Sequence, residues 1–404
     1  MGYQTVFFNS ISQIPAVQWQ QLAAKAGPFL QHAFLQLLET TGCVGNNSGW
    51  QPCHLALFDD EQLIAAAPGY LKSDSYGEYV FDQSWANAYH QHNLAYYPKW
   101  ISAVPFTPVT GPRFLTHPDR EPAPLWQQMS DELQTRLKNT VSSLHVLFPP
   151  ISMATALKQQ QEFAQRYSVQ FQWHNYGYHS FDDFLGALTS RKRKTIKKAR
   201  KSLDARDITI ERKVGQAIQP ADMAFFIRCY QQTYLKRSGH TGYLNEAFFY
   251  GLAEQMGEQM LLIIASTPTG ACASALLFFD DEALYGRYWG ALENISELHF
   301  ECCYYQGIAF AIDNKLSYFN PGTQGEHKLI RGFEPIYCTS AHFLYEPVFH
   351  DAVKDFLQRE TPAIQSYFQQ AVDVLPYNND KKQKLSVFNT PGVDADTITT
   401  RTEN

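Results

Sequence analysis

Met260-Leu261-Leu262-Ile263-Ile264-Ala265-Ser266, Thr267-Pro268-Thr269-Gly270 and Ala271-Cys272-Ala273-Ser274-Ala275-Leu276-Leu277-Phe278-Phe279 read together as two apolar strands around a Pro/Gly turn. A matching pair starts about 208 residues earlier: residues 52–57, a turn at Asp59-Asp60-Glu61, and a return over 63–71. A further strand over 282–291 extends the second hairpin, and helical segments precede and follow both. The expectation is an α/β chain with mixed (α+β-type) sheets, built from two copies of one unit by internal duplication. The first domain is expected over residues 1–170 and the second over 171–375, the latter carrying a basic helix at 191–203. A loose polar tail is expected over 376–404.

With 404 residues, 45% of them hydrophobic and 18% charged, the chain can build more than one core. The formal net charge is −6, which argues against a dedicated nucleic-acid binder. The distribution says more: residues 191–201 hold eight basic side chains and no acid, while the rest has 25 basic against 39 acidic residues. Ile196, Ala199 and Leu203 fall on one face of that segment as a helix, leaving Arg191, Lys194, Lys197, Lys198 and Lys201 for anions such as tRNA, a lipid-linked diphosphate or a membrane surface. A solvated charged helix is the plain alternative. Seven cysteines, odd in number and without a Cys-x-x-Cys pair, read as reduced thiols in the cytoplasm. The Met1-Gly2 start has no secretory pattern and no myristoylation pattern, and no apolar run is long enough to span a bilayer.

Between the hairpins, residues 79–92, 122–137 and 152–167 read as helices, and 101–104, 144–148 and 169–173 as strands, the last crossing between halves. Residues 222–236, 246–256, 296–313 and 348–370 read as helices beyond. The densest polar stretch is Phe319-Asn320-Pro321-Gly322-Thr323-Gln324-Gly325-Glu326-His327-Lys328-Leu329-Ile330-Arg331-Gly332-Phe333-Glu334-Pro335. Loops on a rigid scaffold carry much of function, and this one sets a carboxylate, an imidazole and an ammonium side by side. His299 and Cys303 lie one helical turn apart, as do Glu301 and Tyr305. The first pair is a candidate Cys–His nucleophile, the second offers a carboxylate as proton acceptor, and packing is the structural alternative for both. No spacing points to a metal. Arg287, in the strand Tyr285-Gly286-Arg287-Tyr288-Trp289-Gly290, is a cation for a phosphate or carboxylate, or an exposed strand cation. In the first half, residues 70–82, with Lys72 and Tyr76, form a polar aromatic stretch suited to a sugar or peptide, or to a core edge. Residues 105–113, ending at Arg113, form a rigid Pro-rich loop.

Several of these segments carry a resemblance: Tyr70-Leu71-Lys72-Ser73, Ser75-Tyr76-Gly77-Glu78-Tyr79-Val80-Phe81, Tyr97-Pro98-Lys99, residues 102–113, His299-Phe300-Glu301 with Cys303-Tyr304-Tyr305-Gln306-Gly307, and Gly325-Glu326-His327-Lys328 with Arg331-Gly332-Phe333-Glu334-Pro335. Together they resemble the FemAB-like predicted N-acyltransferases, over nearly the whole chain to about residue 372. The resemblance implies tandem GNAT-type domains, as in the Fem aminoacyl transferases of peptidoglycan assembly, and transfer of an acyl or aminoacyl group onto an amine. Glu301, or Glu326 with His327, would act as base. Lys328 and Arg331 would hold a carboxylate or phosphate; Lys72, Tyr76, Arg113, Arg287, His299, Cys303, Tyr305 and Gln324 complete the expected substrate contacts. The donor is left as acyl-CoA or aminoacyl-tRNA. Where acetyl-CoA enzymes carry a glycine-rich pyrophosphate loop, residues 292–298 have no glycine and two acids, which disfavours coenzyme A. The rival reading is a non-catalytic module that recognises a cell-wall precursor or another anionic ligand.

Overall fold

The computed structural model describes residues 3–45, 47–323 and 325–388. The first half contributes β1 (Gln4–Phe8), β2 (Trp50–Pro52), β3 (His54–Asp59), β4 (Gln62–Ala67), β5 (Gly69–Lys72), β6 (Lys99–Ser102), β7 (Leu115–Thr116) and β8 (Ser143–Leu147). Then come β9 (Ala164–His174), β10 (Thr209–Val214), β11 (Met260–Thr267), β12 (Gly270–Phe279), β13 (Ala283–Ala291), β14 (Tyr318–Asn320) and β15 (Glu334–Leu344).

Both hairpins form. β11 and β12 pair antiparallel and close with Thr267 opposite Gly270, whose φ of +134° suits only a residue without Cβ. β3 and β4 pair antiparallel from Leu55 and Ala67 to Asp59 and Gln62. The return strand breaks at Pro68, which has no N–H to continue a ladder, and resumes as β5 in the other sheet.

The same topology appears twice. In the first half β1 lies antiparallel to β3, β5 antiparallel to β6, and β8, after the Pro122–Arg136 helix, runs parallel to β6. In the second β10 lies antiparallel to β11, β12 antiparallel to β13, and β14, after a helix, runs parallel to β13. That helix is the unbroken run of Leu298–Phe300, a π-turn at Glu301–Tyr305, and Gln306–Asp313.

β15 joins the halves. It leaves the second half, pairs with β9 along Glu334 to His342, and pairs on its other side with β8 along Ser340 to Leu344. An eleven-stranded sheet therefore runs through both halves. The two halves also share a core, where Phe29 and Phe34 meet Phe278 and Phe248 at ring separations of 5.2 and 5.6 Å. The sequence-based division at 170/171 falls within β9, one continuous strand.

Two expectations need correction. The helix read over 152–167 is Ile151–Gln161; Glu162 caps it at φ 60°, and β9 takes over from Ala164 because Tyr167, Phe171 and Trp173 bury as sheet residues. The tail is not loose as far as residue 388. Tyr377 bridges Leu188 and donates its hydroxyl to Gly332 O at 2.6 Å, and Leu385 is fully buried. A few apolar side chains in a polar stretch suffice to dock it. Residues 389–404, like the Met1-Gly2 start, lie outside the described residues. Among the described residues no helix is long and apolar enough to cross a membrane.

Candidate active site

β13 and β14 are parallel only from Ala283 to Tyr285, opposite Tyr318 to Asn320. Beyond them the strands part. A Cβ on Gly286 would lie 3.3 Å from the Phe319 ring and 3.4 Å from the Cα of Pro321, so the absence of a side chain lets the two segments approach closely here.

Arg287 sits half-buried at this opening. Its Nη1 donates to Gly286 O at 3.0 Å and its Nη2 to Asn320 Oδ1 at 3.3 Å, while its Nε is buried without a partner. Its guanidinium carbon stands 5.3 Å from the centre of the Phe29 ring. Burial lowers it to about 10. Lys328, 2% exposed, rises from the following loop and donates to Gly322 O at 2.6 Å. Burial, then the neighbouring Arg287, bring its ammonium down to about 7. Neither cation has a carboxylate partner among the described residues.

A cavity of about 130 Å³ at the opening is lined by Arg287, Tyr288, Trp289, His299, Cys303 and Tyr304, among others. The 298–313 helix supplies His299, Cys303 and Tyr304, so the one-turn spacing of His299 and Cys303 does bring both to one cavity. A π-turn widens the helix at this point, a distortion common at functional sites. Burial, followed by His327, Arg237, Arg331 and Lys328, lowers His299 to about 4, so its imidazole is neutral. Burial raises the Cys303 thiol far above the range of a reactive cysteine.

Two further cavities adjoin. One of about 80 Å³ shares Arg287 and Tyr288 and has walls of Tyr79, Phe106, Tyr230, Tyr234 and Tyr243. It shares Tyr79 and Thr323 with a cavity of about 310 Å³ against β9 and β15. Together they form a groove along the seam of the halves.

The residues expected to act as base are not brought together. Glu301 is buried and turned to the basic helix: Oε1 accepts from Arg200 Nη2 at 2.9 Å and Gln306 Nε2 at 2.8 Å, and Oε2 has no partner. Glu326 and His327 diverge because residues 326–331 form a 3-10 helix, in which neighbours point about 120° apart. Glu326 lines the largest of the three cavities and accepts from the Tyr367 hydroxyl at 3.1 Å. His327 meets the Tyr304 hydroxyl at 2.8 Å, so the loop lies against the 298–313 helix. Arg331 lays its guanidinium 3.4 Å over the Phe300 ring and donates to His327 O at 2.7 Å. Tyr305 is buried, its ring 6.0 Å from Phe181. Gln324 lies outside the described residues.

The first-half candidates serve the fold. Arg113, 1% exposed, donates to Leu147 O at 2.7 Å, Gly111 O at 3.0 Å and Val109 O, locking the Pro-rich loop. A cation held by three carbonyls is a strut, not the substrate contact the sequence reading expected. Lys72 donates to Asp74 Oδ1 at 3.1 Å and Tyr76 O at 3.2 Å, with its ammonium 4.2 Å from the Trp50 ring centre, closing a turn on which the Tyr76 side chain is 73% exposed. The sequence reading missed a buried trio beside it. Fully buried Lys99 donates to Glu78 at 2.8 Å and to Asp82. Burial alone would lower the Lys99 ammonium; the two carboxylates outweigh it and hold it above its ordinary range. The missed signal was Lys99 following Tyr97-Pro98 in a strand whose neighbours are apolar.

The Ser190–Asp204 helix buries Ile196 and Leu203, with Ala199 half-buried. Lys197 pairs with Asp182 at 2.8 Å and Arg200 with Glu301. Arg191, Lys194, Lys198 and Lys201 are exposed, with no acidic partner among the described residues.

The profile of the FemAB-like family, described as peptidoglycan biosynthesis/recognition, matches residues 10–379. No curated protein matches the sequence. Among solved structures, a tandem GNAT protein from the clavulanic acid biosynthesis pathway is 10% identical, with 85% of this chain and 99% of that one covered at a TM-score of 0.47. FemX is 10% identical, with 87% and 100% covered at 0.49. L-PGS from Bacillus licheniformis is 8% identical, with 85% and 97% covered at 0.50. Identities this low speak to fold alone. The chain shares its fold with L-PGS and belongs to the FemAB-like family of peptidoglycan biosynthesis and recognition.

Proposed function

We propose that the chain is an N-acyltransferase that moves an acyl or aminoacyl group onto an amine of a peptidoglycan-type precursor. The observation that carries this reading is the pair Arg287 and Lys328: two cations without a counter-carboxylate, held where β13 and β14 part. Charges kept out of water without a partner are costly, and sites that meet an anion only when occupied accept that cost. In acyl transfer the amine nitrogen bonds to the acyl carbon and the carbonyl oxygen becomes an oxyanion. Collapse expels the donor's oxygen or sulfur, and the nitrogen gives up a proton. Arg287 and Lys328 suit the oxyanion or an anionic group of donor or acceptor. His299 lines the same cavity; burial and the surrounding cations keep it neutral, which suits it to hydrogen bonding with substrate better than to taking up a proton. The basic helix, tied to the site turn through Arg200 and Glu301, suits a polyanionic donor, and an aminoacyl-tRNA fits it better than acyl-CoA.

The test is transfer to a panel of amines with acyl-CoA and aminoacyl-tRNA supplied separately. Tight binding of donor without turnover on any amine would make the chain a recognition module instead. Cys303→Ser is expected to retain most of the parent rate, because a thiol held protonated by burial is not a nucleophile. A folded but inactive Cys303→Ser protein would indicate an acyl-cysteine intermediate.

A pH dependence follows from Lys328. Its folded pKa lies below the ordinary value, so its charge is nearly complete by about pH 6, half lost near pH 7 and gone at higher pH. Affinity for the anionic donor is expected to be highest near pH 6 and to fall by pH 8.5. In Lys328→Met this dependence should flatten, which a Kd series across that range would reveal.

A further inference from the structure

The eleven-stranded sheet has an opening at its centre. β15 covers one edge of β9 from Ala164 to Gln172, but on the other edge β14 pairs only with Trp173 and His174. From Ser168 to Phe171 that second edge meets no strand among the described residues, and these residues line the cavity of about 310 Å³. Alternate residues of a strand turn their N–H and C=O groups to opposite edges, and an uncovered edge is a template for another chain. Ser168 is exposed in mid-strand. Gln170, 4% exposed and among the lining residues, donates Nε2 to Pro108 O at 3.2 Å, and its Oε1 is buried without a partner. The remaining wall is largely apolar, from Val80, Phe148, Phe171 and Ile364. Charge gives the opening a direction. Arg166 is neutralised by Glu360 through contacts of 2.8 and 2.7 Å. Glu326, which takes only the Tyr367 hydroxyl, has no cationic partner among the described residues.

We propose that this opening is a peptide-binding site: an extended peptide adds as a strand along the free edge of β9 and presents a primary amine to Glu326. Main-chain hydrogen bonds supply the affinity, and the apolar wall takes alternate side chains. The ammonium meets Glu326 two residues from Lys328, at the end of the cavity that leads through Thr323 towards Arg287. Only the fate of that amine rests on the acyl-transfer reading; the binding mode does not.

The full chain is titrated by fluorescence anisotropy with labelled Ala-Ala-Lys-Ala, with the same peptide N-methylated at alternate residues, and with a norleucine version. The parent protein is expected to bind the first, and N-methylation to weaken it about tenfold or more by removing the strand hydrogen bonds. Norleucine should also weaken it. Ser168→Trp, which fills the cavity from an exposed position, should abolish binding. Absence of binding to the parent, or equal affinity for methylated and unmethylated peptides, overturns the site. Equal affinity for lysine and norleucine peptides overturns the assignment of the amine to Glu326. Transfer to the amine panel, the lysine peptide included, is measured separately on the parent with each donor: no turnover on any amine beside methylation-sensitive binding sinks the acyl-transfer reading and supports the peptide site.

Discussion

Arg287→Met is expected to lower the rate of transfer by about 100- to 1,000-fold, the usual cost of removing a preorganised donor to a developing oxyanion. The loss should appear in kcat and in kcat/KM alike if the guanidinium serves the transition state, and in KM alone if it only holds a charged substrate. The fold should tolerate the change. Methionine keeps the apolar stem against Phe29, and the guanidinium has no ion-pair partner to strand. Arg287→Lys is a sharper probe: it keeps the charge but lacks the planar fork that reaches Gly286 and Asn320 together. A folded Arg287→Met protein with more than about a tenth of the parent rate would remove Arg287 from the chemistry.

Lys99→Met is expected to destabilise the chain by about 3–5 kcal/mol, because it leaves the Glu78 and Asp82 carboxylates buried without their cation. Urea unfolding measures this, and its pH dependence has a definite sign. Burial already raises Glu78 to about 7, above its unfolded value, and Lys99 is the group that opposes that rise. A carboxyl with a raised folded pKa contributes stability at low pH and loses it as the pH rises through that pKa. The deficit should therefore be smallest near pH 5 and deepen towards pH 8. A deficit that does not vary with pH would mean the trio acts through packing alone.

The duplicated topology was legible because each hairpin carries its own turn chemistry, and the apolar run of β11 and β12 can fold only as a buried pair. The loop around Lys328 was legible by its polar density. What was not legible depended on direction or distance. Nothing in Glu326-His327-Lys328 announces that a 3-10 turn sends one carboxylate to β9 and the imidazole to Tyr304. Glu301 looks like a base at the head of a helix until Arg200, about 100 residues earlier in the chain, is seen to hold it. Arg113 resembles an anion contact until its three carbonyls are known. The docking of Tyr377 and Leu385 escaped notice because composition averages a few anchoring side chains into their polar surroundings.

The position of β15 has a consequence for how the molecule comes into being. Among the described residues it is the last strand to leave the ribosome, yet it lies between β8 and β9, whose paired residues were made about 160–200 residues earlier. Until residue 344 emerges, the amino-terminal portion has a vacancy in the middle of its sheet and two unpaired edges beside it, a state that invites association with other nascent chains. The usual vectorial order, in which an early domain matures while a later one is still being translated, is closed to this protein. Its halves commit together, and a chain cut before Glu334 loses the interior of its beginning as well as its end.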